Sequence, residues 1–310
     1  MNASSVSRLS GALGGVLTLL LSMWVLSTLD ASGKWVLAAG VPVLIAAWVR
    51  YVVHFVLIVA LVVSRRQIYL FRSKTLKFQI LRGAVILCAT LGFFSTLSYL
   101  PQAQATTLIF LAPLIMLSLA PWLLGEARRT SRWVAAGFGF LGVLIVIRPG
   151  SGLDPVGVGF GLLTACLLAM QLLCTRKVAI DHPWTTLIWS GLVGALVLTL
   201  ATPWLWPQLM QLVGQLTFWQ WCVLFSLGVS GGLGHLLQIQ AYRRAPASLL
   251  APFMYLQIVA AATMGWLVWG DFPDRVSWLG IGLICASGAG IGYYEWHQAK
   301  RLRRDQAAVD

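Results

Sequence analysis

The sequence predicts an all-α integral membrane protein with ten transmembrane helices, arranged as two inverted five-helix repeats. Three observations carry this expectation. Of 310 residues, 59% are apolar and only 10% are charged, against roughly 25% charged in an ordinary soluble domain. The apolar residues fall in runs near the length of about 20 residues that crosses a bilayer core. Residues 101–142 also resemble residues 246–287 at a constant offset of 145. A water-soluble globular domain cannot cover so much apolar surface, and disorder needs low hydrophobicity.

The first run, 11–29, follows a single cation, Arg8. It is too long for a signal-peptide core and is read as an uncleaved helix. The next runs are 41–63, 79–99 and 104–124, with Pro101 before the last, and then 131–148, which ends at Arg148-Pro-Gly-Ser-Gly. The second set is 156–175, 184–203, 218–239, 247–269 and 277–296. Asp181-His-Pro, Pro203 to Pro207, Arg244-Ala-Pro and Asp271-Phe-Pro-Asp supply the turn signals between them. Trp35, Trp133, Trp184, Trp204, Trp219, Trp278 and Trp296 lie near run ends, where an interfacial aromatic belt belongs.

Orientation follows from the 22 cations. With the N-terminus inside, 18 fall in cytoplasmic segments, including Arg65, Arg66, Arg72, Lys74, Lys77, Arg82, Arg128, Arg129, Arg132, Arg176, Lys177, Arg243 and Arg244. Lys34, Arg148 and Arg275 fall on the other face, and Arg50 lies within a span. Such a bias places both termini in the cytoplasm, in a multi-pass protein of the cell inner (cytoplasmic) membrane. It also accounts for the net charge of +13 without a nucleic-acid partner. Cys88, Cys166, Cys174, Cys222 and Cys285 all sit in apolar runs without metal-ligand spacing and read as small core residues.

Within the repeat, Pro101 meets Pro246, Leu111 meets Leu256, Gly125 meets Gly270, Trp133 meets Trp278 and Gly137 meets Gly282, while Glu126 meets Asp271. The loop after Gly125 carries Arg128, Arg129 and Arg132, whereas that after Gly270 carries Asp271, Asp274 and Arg275. Equivalent loops with opposite bias are what an odd-numbered, inverted repeat requires. Secondary transporters are built this way, with a binding site near the bilayer midplane. The expected units are 11–148, 156–296 and a basic cytoplasmic tail, 297–310.

Further landmarks are Leu81-Arg-Gly, Ser98-Tyr-Leu-Pro-Gln-Ala, Leu111-Ala-Pro, Leu124-Gly-Glu and Gly142-Val-Leu-Ile-Val-Ile-Arg-Pro-Gly in the first half. In the second half they are Ala241-Tyr-Arg-Arg-Ala-Pro-Ala-Ser, Ala251-Pro-Phe-Met-Tyr-Leu-Gln and Trp269-Gly-Asp. On these residues the chain resembles the drug/metabolite transporter superfamily, EamA type, over about residues 41–296. The segment from Gly234-His to Gly270-Asp-Phe-Pro is most similar to a branch that includes riboflavin and S-adenosylmethionine transporters. The resemblance implies two inverted five-helix halves around a central cavity, a small-molecule substrate, and no cofactor or ATP. The cargo implied is cofactor-like, amino-acid-derived, zwitterionic or anionic. An exporter of drugs, toxic metabolites or metallophores is the alternative within the same fold.

Arg50 is the first candidate site residue, because a mid-span Arg costs roughly 2.5–3.5 kcal/mol and must face a wet or protein-lined interior. His54 lies one turn on, along the same face. His235, Gln238 and Tyr242 share one stripe of the eighth span. Gln171 and Gln257 add amides at depth, which need partners in hydrocarbon. Trp24, Phe93, Phe94, Phe110, Trp189 and Tyr255 offer rings for a planar ligand, Trp24, Phe94 and Tyr255 being taken as site candidates. For each there is a structural alternative, in helix–helix bonding, packing or lipid contact. Pro113 and Pro252 each remove a helical hydrogen bond. Gly11 to Gly15 and Gly157 to Gly161 have the spacing of close helix packing.

All nine acidic residues, Asp30 among them, are read as terminal or loop-borne. No buried carboxylate is then available as a proton carrier, and His54 or His235 would have to serve. No metal cluster, P-loop or nucleophile motif is present, which disfavours an intramembrane lipid-modifying enzyme. A non-transporting scaffold would lack a polar cavity. A homodimer is compatible with the pattern but not specified by it.

Overall fold

The computed structural model describes residues 3–124, 130–148, 152–245, 250 and 253–306, and these are helical with short connections. The helices are α1 (Ala3–Ala38), α2 (Val43–Ser64), α3 (Leu76–Tyr99), α4 (Gln102–Ile109), α5 (Ala112–Leu124) and α6 (Thr130–Val146). They continue as α7 (Pro155–Lys177), α8 (Pro183–Gln215), α9 (Phe218–Arg244), α10 (Leu256–Trp269) and α11 (Arg275–Gln306). A 3-10 turn, Ile68–Phe71, lies between α2 and α3. Eight stretches are long and apolar enough to cross a bilayer, and two shorter apolar helices, Trp133–Val146 and Leu256–Trp269, fall on the fifth and ninth expected runs. The chain is a multi-pass membrane protein. The Glu126 and Pro246 landmarks of the repeat, and Pro252, lie outside the described residues.

Local chemistry sets the helix starts. Asp154 accepts from the backbone N–H of Val156 at 2.7 Å, and Pro155 occupies the first turn of α7, where a missing N–H is harmless. Thr217 and Gln220 form a reciprocal capping box at α9. The fourth expected run is broken by a turn at Phe110 and Leu111. Pro113 cannot donate back to the preceding turn, so α5 restarts with it near its N-terminus. A matching turn interrupts the chain at Tyr255, before α10, and the rings of Phe110 and Tyr255 meet at 5.1 Å.

Several boundaries differ from the sequence expectation, among them the last helix, which runs to Gln306 through the expected tail, and two matter most. The first helix does not end near residue 29 but runs to Ala38, so Asp30 is inside it and only 5% exposed. Asp30 is therefore not loop-borne, and the expectation of no buried carboxylate is overturned. The eighth helix continues through Pro203 and Pro207, expected as a turn, to Gln215. Leu205, between those prolines, and Leu212, beyond them, are buried, and that apolar face keeps the chain helical where local propensity would stop it.

Helix pairing follows a pattern. α1 packs on α9 as α7 packs on α3, α2 meets α9 as α8 meets α3, and α10 lies on α1 as α4 and α5 lie on α7. α2 also crosses α8, α4 crosses α10 and α6 crosses α11. A shift of 145 residues exchanges α1–α9 with α3–α7, α2–α9 with α3–α8 and α1–α10 with α5–α7, and maps α2–α8 and α6–α11 onto themselves. At the α6–α11 crossing, a Cβ on Gly280 would meet the Gly142 carbonyl at 2.6 Å, and one on Gly142 would meet the Gly280 carbonyl at 2.8 Å. Shifted by 145, that pair becomes Ala135 and Ser287, whose hydroxyl donates to the Ala135 carbonyl. The backbones touch here because neither glycine has a side chain.

A Gly280→Val substitution forces these backbones apart. The expected cost is about 1–3 kcal/mol, read as a lower thermal midpoint of the purified protein in detergent. An unchanged midpoint would mean that α6 and α11 are not in backbone contact.

Candidate functional site: a cationic cavity between the helices

A cavity of about 380 Å³ lies among α2, α3, α7, α8 and α9. It runs from the 178–183 connection inward to Arg50 and Tyr51. Four candidates from the sequence, Arg50, His54, His235 and Gln238, line it together. Their convergence follows from helical spacing: Arg50 and His54 are one turn apart on α2, and His235 and Gln238 are one turn apart on the facing α9. The rings of His54 and His235 meet edge to face at 6.3 Å.

Arg50 reaches inward over aromatic faces. Its guanidinium carbon stands 5.5 Å from the Phe94 ring centre and 5.9 Å from that of Tyr51. Gly231 of α9 leaves the space it needs, since a Cβ there would lie 3.6 Å from Arg50 Nε. Among the described residues, no side chain or carbonyl takes the Arg50 donors in a hydrogen bond or ion pair. A guanidinium with free donors on a cavity wall is suited to a carboxylate or another electron-rich group.

A second guanidinium comes from Arg82. Its Nε donates to Thr175 Oγ1 at 2.8 Å, and its Nη1 donates to Ser190 Oγ. Thr175 passes its own proton to the Gln171 carbonyl at 2.7 Å, and Ser190 passes its proton to the Thr186 carbonyl at 2.7 Å. Arg82 is thus steered by hydroxyls, with no carboxylate neutralising it. The sequence reading counted Arg82 as a loop cation, although it lies three residues inside the 79–99 run. The same reading omitted Tyr51, which donates to the Ile86 carbonyl at 3.2 Å and shares a 2.9 Å hydrogen bond with Thr90.

The other candidates lie off the cavity. Gln171 bonds Thr175 at 3.1 Å and so braces the residue that holds Arg82. Gln257 lies in the first turn of α10, which packs on α1. Phe94 is fully buried beneath Arg50. The Tyr255 hydroxyl fills a notch at Gly288, where a Cβ would collide with it. Trp24 is 41% exposed on the outer surface of the bundle.

Asp181 closes the loop end of the cavity wall. It accepts from Ser73 Oγ at 2.5 Å, Lys74 N at 2.8 Å, Thr75 Oγ1 at 2.7 Å and Gln79 Nε2 at 3.0 Å. Partial desolvation pulls its carboxyl up, but the bonds from Ser73, Gln79, Thr75 and the Lys74 backbone outweigh this and hold it well below the usual carboxylate range. Trp189 adds a bond to the Phe71 carbonyl at 3.1 Å, so the 68–75 segment is tied to α8. At the opposite end of the bundle, Gln102 donates to the Ser27 carbonyl at 2.8 Å. Lys34 pairs there with Asp271 at 3.2 Å and lies 4.7 Å from the Trp269 ring centre. Arg148 meets Asp274 at 2.6 Å, and the Ser277 N–H and Arg148 hold the Asp274 carboxyl down at about 2.

The EamA-like transporter family model matches residues 13–148 and again residues 155–293. The chain belongs to the EamA-like transporter family. It is a small-metabolite transporter. It is 29% identical to the S-adenosylmethionine uptake transporter of Rickettsia bellii, over 70% of this chain and 72% of that protein. It is 28% identical to the riboflavin transporter of Vibrio cholerae, over 85% of this chain and 87% of that one. It is 26% identical to the pseudopaline exporter of Pseudomonas aeruginosa, over 64% and 68% of the two chains. A solved crystal structure at 19% identity superposes with a TM-score of 0.58, covering 94% of this chain and 98% of that one, which is a likeness of fold.

Replacing Asp181 by Ala removes an acceptor shared by four donors, of which the fully buried Gln79 amide keeps only its 3.1 Å bond to Thr186 Oγ1. The expected loss is about 1–3 kcal/mol at neutral pH. A carboxyl titrating below its unfolded value contributes its full stability at neutral pH and loses it as pH falls through the folded value. Thermal midpoints of wild type and Asp181→Ala should therefore differ at pH 7 and converge in strong acid. Equal midpoints at pH 7 would remove this anchor from the account.

Proposed function

We propose that the chain carries an amino-acid-derived or cofactor-like metabolite across the cytoplasmic membrane by alternating access. Arg50 and Arg82 hold the anionic part of the cargo. His54, His235, Gln238 and Tyr51 fix the rest. The observation that carries this reading is the convergence of two guanidinium groups without carboxylate partners on one cavity of about 380 Å³. That volume suits a small metabolite. S-adenosylmethionine and opine-type metallophores carry carboxylates that a guanidinium can grip in a forked pair. Riboflavin has no carboxylate and would use the His and Gln groups. This favours an amino-acid-type head group over a neutral ring system.

The two halves, 11–148 and 156–296, form inverted five-helix repeats in this reading. The exchange of helix pairs under a shift of 145 supports it, as do the paired breaks at Phe110 and Tyr255 and the two family matches. The cavity lies toward the end that carries Arg65, Arg66, Arg72 and Lys74, while Lys34–Asp271 and Ser27–Gln102 tie the other end. The positive-inside bias makes the first end cytoplasmic, with both termini on that side, and the conformation inward-facing.

The test is uptake and counterflow in proteoliposomes with radiolabelled S-adenosylmethionine, riboflavin and pseudopaline. Arg50→Ala should lower transport of a carboxylate-bearing cargo about 10- to 100-fold, the worth of a charge-assisted hydrogen bond or two, without lowering the amount of protein in the membrane. Trp24→Leu, on the outer surface, should leave transport unchanged. Full activity in Arg50→Ala would remove Arg50 from the binding site.

A further inference from the structure

Asp30 is a carboxylate within a membrane-spanning helix, 5% exposed and about two turns before the end of α1 at Ala38. It is not among the cavity-lining residues. A Cβ on Gly231 would have both Arg50 Nε, at 3.6 Å, and Leu29 Cδ1, at 3.8 Å, beside it, and the Phe94 ring beneath Arg50 also packs on Gly33, so the turn of α1 that bears Asp30 lies next to Arg50. No direct ion pair joins Asp30 and Arg50 among the described residues. Arg50 thus has the cavity on one side and the turn of α1 that bears Asp30 beside it.

Among the described residues, the charged side chain at depth beside this turn of α1 is Arg50. From α3, Phe94 covers this region, and from α4, Gln102 donates to Ser27, one turn before Asp30. On α9, Gly231 makes room for Arg50, and His235 lies beyond it on the cavity side. His54 of α2 also faces the cavity. Lys34, one turn further along α1, is committed to Asp271. Near Ser27, the buried Gln102 Oε1 and the Thr106 hydroxyl, one turn further along α4, have no hydrogen-bond partner. Hydrogen-bonding capacity is therefore available on the helix opposite Asp30.

We infer that Asp30 is the proton-carrying group that couples substrate movement to a pH gradient, by competing with the substrate anion for Arg50. This rests on the transport reading above. In the empty site, the Asp30 carboxylate balances Arg50. In the loaded site, the substrate carboxylate balances Arg50, and Asp30 is a neutral acid. Both states are locally uncharged. The mixed states carry one uncompensated charge in a low-dielectric interior and are disfavoured. One proton, taken from water on one side as an O–H bond to the Asp30 carboxylate, is thus returned to water on the other side for each substrate carried. The requirement for local neutrality does the coupling.

Two readouts test this. Infrared spectra of the purified protein in lipid nanodiscs, without cargo, should show a protonated-carboxyl band that grows as pH falls from 8 to 5 and is missing in Asp30→Asn. In proteoliposomes with radiolabelled S-adenosylmethionine or pseudopaline, a one-unit pH gradient at zero membrane potential should drive up to about tenfold accumulation by wild type. Asp30→Asn should keep counterflow exchange but lose the accumulation, and Asp30→Glu should recover it. Gradient-driven accumulation that survives in Asp30→Asn, or accumulation driven by sodium in place of protons, would overturn the inference. The infrared readout is independent of the cargo. If none of the tested compounds moves, the proposed function fails, whereas a missing band contradicts the role of Asp30 alone.

Discussion

A guanidinium in the interior of a bilayer protein must have its charge met, and much of this molecule is arranged around that demand. Arg50 reaches over Phe94 and Tyr51 through the space left by Gly231. Beside it lies the turn of α1 that bears Asp30, and in front of it a cavity also faced by Arg82. No protein group bonds its donors among the described residues. Isolated intramembrane charge is costly enough that this arrangement is poised for a ligand. The same positive potential that disfavours an empty cavity draws an anion into a filled one.

The helices provide the frame for that charge. Cavity walls come from both halves of the chain: α2 and α3 from the first, α7, α8 and α9 from the second. Close approach at Gly142 and Gly280 sets the α6–α11 crossing, away from the cavity. The turns at Phe110 and Tyr255 bring two broken helices ring to ring near the centre. Polar ties then make the two ends unequal. Asp181 and Trp189 brace the 68–75 segment beside the cavity, while Lys34–Asp271 and Ser27–Gln102 join helices at the far end. These far ties are few and polar, the sort of contact that can be exchanged when two packed arrangements differ by a few kcal/mol.

Periodicity and charge made much of this legible in the sequence. The positions of the apolar runs needed only length and hydropathy, and the cavity faces of α2 and α9 needed only the one-turn spacings Arg50–His54 and His235–Gln238. What escaped depends on tertiary packing. Asp30 looked like the start of a loop, because a charge at the end of an apolar run usually marks the interface. Here α1 continues for another two turns, and the carboxylate is buried among the helices. Arg82 was counted with the loop cations because its hydroxyl partners, Thr175 and Ser190, lie about a hundred residues away in sequence. Pro203 and Pro207 signalled a turn that the buried Leu205 and Leu212 override. Trp24 and Tyr255 had the chemistry for a ligand but face the outer surface and a helix crossing.

The central claim is that water reaches the depth of Arg50 in a pocket of positive potential. Ile86, one turn beyond Arg82 on α3, lines that pocket next to Tyr51. In a cysteine-free background, Ile86→Cys can be labelled with membrane-impermeant thiol reagents of opposite charge, applied to the face bearing the 178–183 connection. The account predicts labelling from that face, with the anionic reagent faster than the cationic one by about tenfold or more. No labelling, or faster reaction with the cationic reagent, would contradict it.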